Sequence, residues 1–360
     1  MKTYVLKALV VAVMGFSVCS CSKVQPEDIE KEVASGVVLI QNRSYYEVVL
    51  SNGESLFFNG FDDDGDITGL KFEKDSVEMK TSYGTGFFVT STGRIATNAH
   101  VVSNMLSDKD IRRSVSDVVS VLRTLVSVAY NEHKKNYEEA ESYRLYALLS
   151  DDVSPDEYES YCAAVENLKQ QMEEADEYRQ ALRELHASES EIKYHNEVSV
   201  AFNESFVTSA SDFKPCVVLK SDQEHDVALI QLKDPVTPNG KFVFEVSDKD
   251  PLDEYDWVES LDKKWGDDKN GKLFMVGFNL GPQLALTDEG LKSQFTSGSV
   301  SQKQGEKIMY TIPALPGSSG SPVINGKKQL VAINFAGLSG AQNFNYGIRT
   351  KYLRNLLDSQ

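Results

Sequence analysis

Short apolar runs separated by polar turns make up most of the chain, but they stop in its middle third. Residues 45–89 and 198–345 alternate strand-length apolar segments with turns rich in Gly, Asn and Asp, a pattern typical of antiparallel β-barrels. Residues 103–190 instead carry apolar positions at spacings of three and four, which predicts helix. The pattern therefore predicts a mainly β protein whose strands are interrupted by one long helical segment.

The helical segment divides into two arms and is predicted to be a hairpin. The apolar stripe of the first arm consists of Ile111, Val115, Val118, Leu122, Leu125 and Ala129. The second arm begins at residues 154–157 (SPDE), which supply an N-cap serine, a proline at the first helical position and a capping-box glutamate. Its stripe consists of Tyr158, Cys162, Val165, Leu168, Met172, Ala175, Tyr178, Leu182 and Leu185. Because the polar residues 150–153 separate the arms, we expect an antiparallel pair, either a spacer packed on itself or a surface that binds a protein partner.

The charge of the chain narrows the range of possible partners. Lys and Arg number 37 and Asp and Glu number 54, a net charge of −17, which argues against nucleic-acid binding and leaves no basic patch for a membrane surface. The helical segment is itself acidic, with 19 Asp or Glu against 10 Lys or Arg. The acidic run at residues 62–66 lacks the glycine position and the terminal glutamate of a calcium loop. No metal and no cofactor are predicted.

The amino terminus is typical of an exported chain. Two lysines precede an apolar run at residues 8–18, which is too short for a permanent membrane span and is typical of a signal peptide. The run ends in VCSC, which resembles the bacterial lipobox and implies a lipid on Cys21, with plain cleavage nearby as the alternative. We therefore expect a signal peptide at 1–20 and a lipidated tether at 21–34. The expected location is the bacterial cell envelope, on its periplasmic or outer-surface face, with membrane contact through the lipid anchor only.

Three short motifs contain candidate catalytic residues. Near the carboxyl end, residues 317–322 read GSSGSP, in which glycines bracket Ser319 so that backbone N–H groups can converge beside a nucleophilic hydroxyl. Such a serine needs a base to take its proton and a group to orient that base. His100 follows a strand-like segment and is the candidate base. Asp226 opens the apolar run 227–232, where its burial is costly unless a partner such as an imidazole pairs it.

Together these motifs resemble the chymotrypsin-like serine peptidases, closest to the bacterial HtrA/Deg-like and glutamyl-endopeptidase-like branches. The matching segments are GTG at 84–86, TNAH at 97–100, DVALI at 226–230, GSSGSP at 317–322 and YGIRTKYL at 346–353. The resemblance implies two antiparallel six-stranded β-barrels, with His100, Asp226 and Ser319 as a catalytic triad. The backbone N–H groups of Gly317 and Ser319 would then form the oxyanion hole. His225, beside the acid, is expected to be an exposed bystander.

The spacing of the three residues agrees with the resemblance once the helical segment is removed. Asp226 and Ser319 are 93 positions apart, which is ordinary for the family, whereas 126 positions separate His100 from Asp226. The helical segment numbers 88 residues, and without it the interval falls to 38 positions, which is also ordinary. The predicted domains are therefore a peptidase domain at 35–102 and 191–360, a hairpin insertion at 103–190, and no PDZ module.

The sequence indicates specificity less strongly than chemistry. The resemblance implies a primary substrate pocket lined by Pro313, Asn334, Phe335, Ala336 and Tyr346. No acid stands at the expected base of this pocket, which favours a small or medium apolar side chain over Arg or Lys. The expected function is a serine endopeptidase that hydrolyses polypeptides through an acyl-enzyme intermediate. The alternative is a catalytically inactive peptidase-fold protein that binds a partner through the hairpin, and retention of all three triad side chains argues against it.

Overall fold

The computed structural model describes residues 26–252, 272–337 and 344–359. Its strands are β1 (Val37–Val49), β2 (Ser55–Phe58), β3 (Gly60–Phe61), β4 (Ile67–Thr68), β5 (Lys80–Phe88), β6 (Arg94–Thr97), β7 (Glu191–Phe202), β8 (Lys214–Asp222), β9 (Val227–Leu232), β10 (Lys272–Gly277), β11 (Leu286–Thr287), β12 (Gly290–Leu291), β13 (Gln294–Lys303), β14 (Lys307–Tyr310), β15 (Pro322–Asn325), β16 (Leu330–Gly337) and β17 (Asn345–Arg349). Its helices are α1 (Pro26–Val33), α2 (Ala99–Val102), α3 (Asp108–Leu149), α4 (Pro155–Glu184), α5 (Pro282–Ala285) and α6 (Lys351–Asp358).

Six strands of the first half close into an antiparallel barrel. Their order is β1-β5-β6-β9-β8-β7, and the barrel closes because β7 pairs with β1 as well as with β8. β2 adds to the outer part of β1. Side chains alternate between the two faces of a strand, and the fully buried interior residues include Val38, Ile40, Phe88, Ile95 and Ile230.

Six strands of the second half close into a second antiparallel barrel. Their order is β10-β13-β14-β17-β16-β15, with β10 pairing β15 to complete the ring. The interior residues include Leu273, Met275, Ile308, Tyr310 and Val323. The predicted mainly β fold, with two six-stranded antiparallel barrels and a helical insertion, is therefore confirmed.

An apolar cluster joins the two barrels. Leu39 and Phe87 from the first barrel and Val276 from the second belong to one buried cluster, which α1 enters through Ile29 and Val33. The barrels are thus packed on one another as well as connected in sequence. Any site in the cleft between them has a rigid support on both sides.

The helix α1 corrects the predicted tether at 21–34. Residues 26–33 are helical, and Ile29 and Val33 are buried four positions apart on one face. The Glu32 carboxylate lies 2.6 Å from the Lys328 ammonium of the second barrel. The mostly polar composition concealed this face, because two apolar positions suffice to dock a helix of two turns. The predicted signal peptide and the lipidation site Cys21 lie outside the described residues.

The predicted hairpin is confirmed. Its arms are α3, with 42 residues, and α4, with 30 residues, which corresponds to lengths of about 63 and 45 Å at 1.5 Å per residue. The predicted capping box is present, since the Ser154 hydroxyl accepts from the Glu157 N–H at 3.3 Å and the Glu157 carboxylate accepts from the Ser154 N–H at 2.9 Å. Local sequence therefore determined where the second arm begins.

Two members of the predicted stripes face solvent instead of the partner arm. Leu125 and Tyr178 are exposed, and the buried residues of α3 include Val119 in place of the predicted Val118. A stripe with alternating spacings of four and three has a mean period of 3.5, whereas a helix has 3.6 residues per turn. The stripe therefore drifts by about 20° per heptad, and packing decides which of its members are buried.

The base of the hairpin packs on the first barrel. Ile111, Val115 and Val119 of α3, here called the hairpin base, share a buried cluster with Val48 of β1 and Phe58 of β2. The sequence analysis expected the two arms to bury their apolar stripes against each other. The structure corrects this expectation, because the lowest turns of the hairpin share a buried cluster with the first barrel.

Arginine and tyrosine side chains fasten the same region. The Arg123 guanidinium donates to the carbonyl oxygens of Leu182 at 2.7 Å and Leu185 at 2.6 Å, which satisfies groups that a helix end leaves without partners. The Tyr46 hydroxyl donates to Oδ1 of Asn104 at 2.9 Å. Burial, with a smaller contribution from Tyr194, raises the pKa of Tyr46 to about 12. Its hydroxyl therefore remains a donor at any physiological pH.

Truncating the arms and deleting the whole hairpin are expected to have different effects. Replacing residues 134–175 with a short Gly/Ser turn keeps the hairpin base and should leave stability near that of the wild type, because loop closure depends weakly on length. Replacing residues 107–188 removes the hairpin base together with Leu185 and Ala187 of the same buried cluster, and each large apolar side chain contributes roughly 1.5–3 kcal/mol. The free energy of unfolding should then fall by at least about 5 kcal/mol in urea titrations. Equal stability of the two variants would show that the base is not part of the core.

Candidate active site

Each candidate triad residue lies at the end of a secondary-structure element. His100 is the second residue of α2, which follows β6, and Asp226 directly precedes β9. Because β6 and β9 are neighbours in the first barrel, the fold brings these two residues together. Ser319 lies in the turn before β15 of the second barrel. One barrel thus supplies the candidate base and acid, and the other supplies the candidate nucleophile.

His100 and Asp226 form a two-point contact. Nδ1 of His100 lies 2.8 Å from Oδ2 of Asp226, and the backbone N–H of His100 donates to Oδ1 at 2.9 Å. Because a carboxylate accepts hydrogen bonds, the ring proton belongs on Nδ1, which leaves Nε2 as an acceptor. The side chain of Asp226 is 17% exposed and that of His100 is 37% exposed. The carboxylate of Asp226 is therefore mostly shielded from solvent, whereas the imidazole of His100 is accessible.

The backbone of Asp226 adopts an unusual conformation that a buried amide supports. Its φ is 53°, in the left-handed region that Asp and Asn enter more readily than most residues. Nδ2 of Asn98, a fully buried side chain, donates to the Asp226 carbonyl oxygen at 2.9 Å. Asn98 was part of the TNAH motif in the sequence, but its own role became visible only in the structure.

The hydroxyl of Ser319 is partly buried and faces β16. Its Oγ donates to the carbonyl oxygen of Phe335 at 3.4 Å, and within the described ranges it makes no hydrogen bond to His100. The 3.4 Å separation is long for a hydroxyl donor, whose usual range is 2.5–3.0 Å. Ser319 is therefore held weakly, so that rotation about its χ1 can redirect the hydroxyl.

The turn around Ser319 leaves two backbone donors free. The N–H of Ser318 donates to the Leu315 carbonyl at 3.0 Å, and the N–H of Gly320 donates to the Asn334 carbonyl at 2.8 Å. By contrast, in the part of the chain that the structure describes, the N–H groups of Gly317 and Ser319 donate to no protein acceptor. These two are the groups that the sequence analysis predicted for the oxyanion hole.

Glycine is required at two positions of this turn. Gly317 and Gly320 have φ values of 93° and 87°, in the region that L side chains rarely adopt. A Cβ on Gly320 would lie 2.0 Å from the Thr85 carbonyl oxygen, and a Cβ on Gly317 would lie 2.5 Å from the Phe278 carbonyl oxygen. The GSSGSP motif therefore encodes both the backbone conformation and the close approach of the turn to the first barrel.

Thr85 fastens the turn across the cleft. Its hydroxyl donates to the Gly317 carbonyl at 2.8 Å and accepts from the Phe278 N–H at 3.0 Å, while its N–H donates to the Ser319 carbonyl at 2.8 Å. The sequence analysis used the GTG segment only as a family motif. Its middle residue bonds directly to the turn that carries the candidate nucleophile.

Replacing Thr85 with Val should destabilise the turn without changing the shape of the side chain. The substitution leaves the Phe278 N–H and the Gly317 carbonyl without a partner in a buried setting, at a cost of about 1–3 kcal/mol. Urea unfolding should show this loss, whereas Thr92→Val in an exposed turn should lie near the wild type. Equal stability of the two variants would contradict the proposed fastening.

A buried network supports the turn from the second barrel. Nδ2 of Asn334 donates to the Ser318 carbonyl oxygen at 3.0 Å, and Oδ1 of Asn334 accepts from the Tyr310 hydroxyl at 2.8 Å. Burial raises the pKa of Tyr310 well above its ordinary value, so the phenol stays protonated and remains a donor. Asn334 was predicted to line the substrate pocket. The structure corrects this assignment, because its side chain is buried and holds the turn.

The other predicted pocket residues lie near the turn on β16, β17 and the preceding loop. The rings of Phe335 and Tyr346 are 6.2 Å apart, and the Lys307 ammonium lies 4.7 Å from the Phe335 ring centroid. Pro313 is exposed in the loop that leads to the turn. Ala336 pairs with Tyr346 in the strand register. Phe335, whose carbonyl accepts from the Ser319 hydroxyl, is thus next to both an aromatic ring and a cation.

The structure corrects the prediction that His225 is an exposed bystander. Nδ1 of His225 lies 2.8 Å from Oδ2 of Asp222, and its backbone N–H donates to Oδ1 of the same carboxylate at 3.1 Å. Its ring stacks on that of Tyr352 with centroids 3.8 Å apart. The spacing of Asp222 and His225 could have indicated the first contact, but nothing in the local sequence indicates the second.

The described residues contain no group of three or more His, Cys, Asp or Glu side chains placed to hold a metal ion. None of their helices has the length and apolar character needed to cross a membrane. Cys162 and Cys216 are free thiols, and burial raises the pKa of Cys216 to about 12. Cys216 is therefore a protonated, packed side chain at neutral pH.

Comparison with known proteins finds similarity to a peptidase domain over part of the chain. The family model of the trypsin-like peptidase domain matches residues 183–333, a stretch that includes Asp226 and Ser319 and starts where the hairpin ends. Among solved structures, the chain is similar to the serine endoprotease from Yersinia pestis, with 11% identity, a TM-score of 0.41, and coverage of 93% of this chain and 65% of that one. No curated protein matches the sequence significantly. Residues 183–333, which follow the hairpin, therefore resemble a trypsin-like peptidase domain.

Proposed function

We propose that the protein is an endopeptidase that hydrolyses polypeptides with Ser319 as nucleophile, His100 as general base and Asp226 as the orienting acid. The proposal rests on two features, one from each barrel. Asp226 is bonded to both the ring and the backbone N–H of His100, and the turn that contains Ser319 presents two free backbone N–H groups. A nucleophile, a fixed base and oxyanion donors are the parts that acyl transfer requires.

Attack begins when the Ser319 hydroxyl turns from the Phe335 carbonyl toward Nε2 of His100. The imidazole takes the hydroxyl proton as Oγ forms a bond to the scissile carbonyl carbon, and it then returns the proton to the leaving amine. Water repeats the sequence on the acyl-enzyme. Asp226 keeps the ring in the tautomer that exposes Nε2 and stabilises the imidazolium that forms in each step.

The free N–H groups of Gly317 and Ser319 act on the charge of the tetrahedral intermediate. They project from a turn whose conformation is set by two glycines and by the bonds of Thr85 and Asn334. Because the donors are already oriented, no reorganisation is needed when the oxyanion develops. Each donor of this kind lowers the barrier by about 3–4 kcal/mol.

For the substrate, we propose that the residue on the acyl side of the scissile bond carries a small or medium apolar side chain. The carbonyl of Phe335 accepts from the Ser319 hydroxyl, and the Phe335 ring lies 6.2 Å from that of Tyr346 on the neighbouring strand; apolar surfaces of this kind favour apolar groups. A panel of fluorogenic peptides that vary only at this position tests the proposal. Higher kcat/KM for Ala or Val than for Arg or Glu would support it, and the reverse order would contradict it.

The sequence also supports a proposal about location. A lipid on Cys21 would leave four residues before α1 begins at Pro26. The peptidase domain would then sit close to the membrane surface of the bacterial envelope. Fractionation of cells tests this proposal, with the wild type expected in the membrane fraction and Cys21→Ser in the soluble envelope fraction. An unchanged distribution would contradict lipidation at Cys21.

Labelling with a fluorophosphonate probe tests the proposed chemistry directly. Such a probe reacts with a serine that an adjacent base activates, and Oγ bonds to phosphorus as fluoride leaves, so the expected product is a single phosphonate adduct on the peptide that contains Ser319. Mass spectrometry of the digested protein locates the adduct. An adduct on another serine would move the nucleophile elsewhere, and absence of any adduct on folded protein would favour the inactive, partner-binding alternative.

A further inference from the structure

The far end of the hairpin carries an unusual apolar surface. The hairpin tip is defined here as residues 138–161, and within it Leu149, Tyr146 and Tyr143 are 86%, 68% and 67% exposed. An open cavity of about 440 Å³ lies beside the two tyrosines and is lined by Ser142, Tyr143, Tyr146, Ala147, Val153 and Tyr161. Contiguous apolar and aromatic surface around a concavity is typical of an interaction site.

Hydrogen bonds within the chain order the hairpin tip without a bound partner. The Arg144 guanidinium donates to both carboxylate oxygens of Glu141 at 2.7 and 2.6 Å and to the Tyr158 hydroxyl at 3.3 Å. The bond to Tyr158 joins the end of α3 to the start of α4, and the bonds to Glu141 hold the guanidinium in place on α3. Such preorganisation reduces the conformational entropy that binding would otherwise cost.

The charge around the tip restricts what can cover it. Residues 138–161 contain eight Asp or Glu and a single basic residue, Arg144, whose charge is already paired with Glu141. A second copy of the tip would bring like charges together, and an anionic membrane surface would repel it. A cationic surface with apolar side chains fits both the cavity and its acidic surroundings.

We propose that the hairpin tip docks a basic amphipathic segment of another protein. An apolar side chain of that segment enters the cavity between Tyr143, Tyr146 and Tyr161, and its Lys or Arg residues pair with the surrounding carboxylates. Tyrosines at the centre of such a surface supply most of the binding energy, while the charges set selectivity and the rate of encounter.

A pair of model peptides tests this proposal on the purified full chain. The first is an 18-residue amphipathic helix of Leu and Lys, and the second replaces each Lys with Glu. Fluorescence anisotropy at physiological salt should show binding of the Lys peptide only. Tyr146→Ser with Leu149→Ser should weaken this binding at least tenfold without changing the charge. The matched control, Val121→Ser with Val128→Ser, removes exposed apolar side chains from α3 outside the tip and should bind like the wild type.

The same variants also test whether the hairpin tip binds a membrane or a second copy of this chain instead. Equal affinity of the tip and control variants would show bulk electrostatic attraction and overturn the proposal. Binding to phosphatidylglycerol vesicles that only the tip variant loses would assign the surface to membrane. Self-association in sedimentation equilibrium that only the tip variant loses would assign it to a second copy of this chain. Either result would replace the proposed partner.

A second inference concerns the residue before Asp226. His225 is bonded to Asp222 at both its ring and its backbone, and its ring lies flat on Tyr352 of α6, with an angle of 18° between the planes. Tyr352 is buried and belongs to the cluster between the barrels. The C-terminal helix thus contacts the segment in which Asp226 takes its left-handed conformation.

We infer that the His225–Tyr352 stack positions Asp226, an inference that rests on the proposed triad. The left-handed backbone of Asp226 is supported on one side by Asn98 and on the other by the stack. Without the stack, residues 225–226 can relax toward more common backbone angles, and the carboxylate moves relative to the imidazole. Misplacement of catalytic groups by about 1 Å costs up to about 100-fold in rate.

Substitutions that keep the ring stack but remove the hydrogen-bonding groups of His225 or Tyr352 test this inference. Tyr352→Phe and His225→Phe keep the stack and should retain kcat close to that of the wild type. His225→Ala should lower kcat about 10- to 100-fold with KM little changed, because orientation rather than substrate binding is lost. The downfield proton resonance of the His100–Asp226 bond should weaken in His225→Ala and persist in both Phe variants.

The two readouts keep this inference distinct from the proposed function. If the wild type neither cleaves peptides nor labels, the proposed function fails, and the proton resonance still reports whether the stack orients the pair. If the wild type is active and His225→Ala matches it in kcat and in the resonance, the positioning role is wrong. Equal losses in His225→Phe and His225→Ala would also overturn it, because stacking alone would then not suffice.

Discussion

The Ser319→Ala variant is expected to lose peptide cleavage and fluorophosphonate labelling while it keeps its fold. Loss of the nucleophile in a triad of this kind costs on the order of 10⁶ in kcat. The Ser319 hydroxyl makes one long hydrogen bond, to the Phe335 carbonyl, and so contributes little to stability. Thermal unfolding should therefore give a transition near that of the wild type, and cleavage of a fluorogenic peptide should fall to background.

A matched control for this variant lies two residues away. The Ser321 hydroxyl is buried and makes no hydrogen bond in the described part of the chain. Ser321→Ala therefore removes the same atom from the same turn without touching the proposed nucleophile, and it should remain active. Persistent labelling of Ser319→Ala, or equal loss in both variants, would contradict the assignment of Ser319.

The Asp226→Asn variant is expected to lose about 10⁴ in kcat, the loss that follows when the acid of such a triad becomes an amide. The substitution keeps the shape of the side chain. It also replaces a pure acceptor with a group that can donate to Nδ1 of His100, which favours the wrong imidazole tautomer. Steady-state kinetics with a fluorogenic peptide measures this loss, and KM should change much less than kcat.

The control is a carboxylate of the same barrel that has a structural role. Asp212 accepts hydrogen bonds from Thr208 and Ser209, which lower its pKa to about 2. It lies in the turn before β8, and its carboxylate is bonded to the backbone of Thr208 and Ser209. Asp212→Asn should retain kcat close to that of the wild type, because the hydrogen bonds of this carboxylate go to Thr208 and Ser209 and not to the proposed triad. A comparable loss in the two variants would mean that Asp226 acts through stability alone.

Much of the candidate site could be predicted from sequence because its parts are local motifs. Gly317 and Gly320 are needed for positive φ angles and close approach, so the turn that presents Ser319 has a short, readable pattern. Asp226 stood out because an acid at the start of an apolar strand needs a partner. The roles of the three side chains came from the family resemblance, and they remain predictions until the variants are measured.

The supporting residues could not be predicted in the same way. Thr85 and Gly317 are 232 positions apart, and Asn98 and Asp226 are 128 positions apart. No periodicity or spacing connects such pairs, because their contact depends on barrel closure and on the packing of one barrel against the other. The same reason explains why the role of Asn334 was assigned to the pocket and why His225 was taken for a bystander.

The sequence by itself determined the elements of this protein. Alternating apolar runs specified strands, the 3.6-residue periodicity specified the hairpin arms, and Ser154 with Glu157 specified where the second arm begins, because each of these depends on neighbours within a few residues. Tertiary structure alone decided that α1 docks between the barrels, that the hairpin base joins the core, and which groups hold Asp226 and the Ser319 turn. These features depend on burial against distant segments, and the free energy of that burial exists only once the barrels have closed.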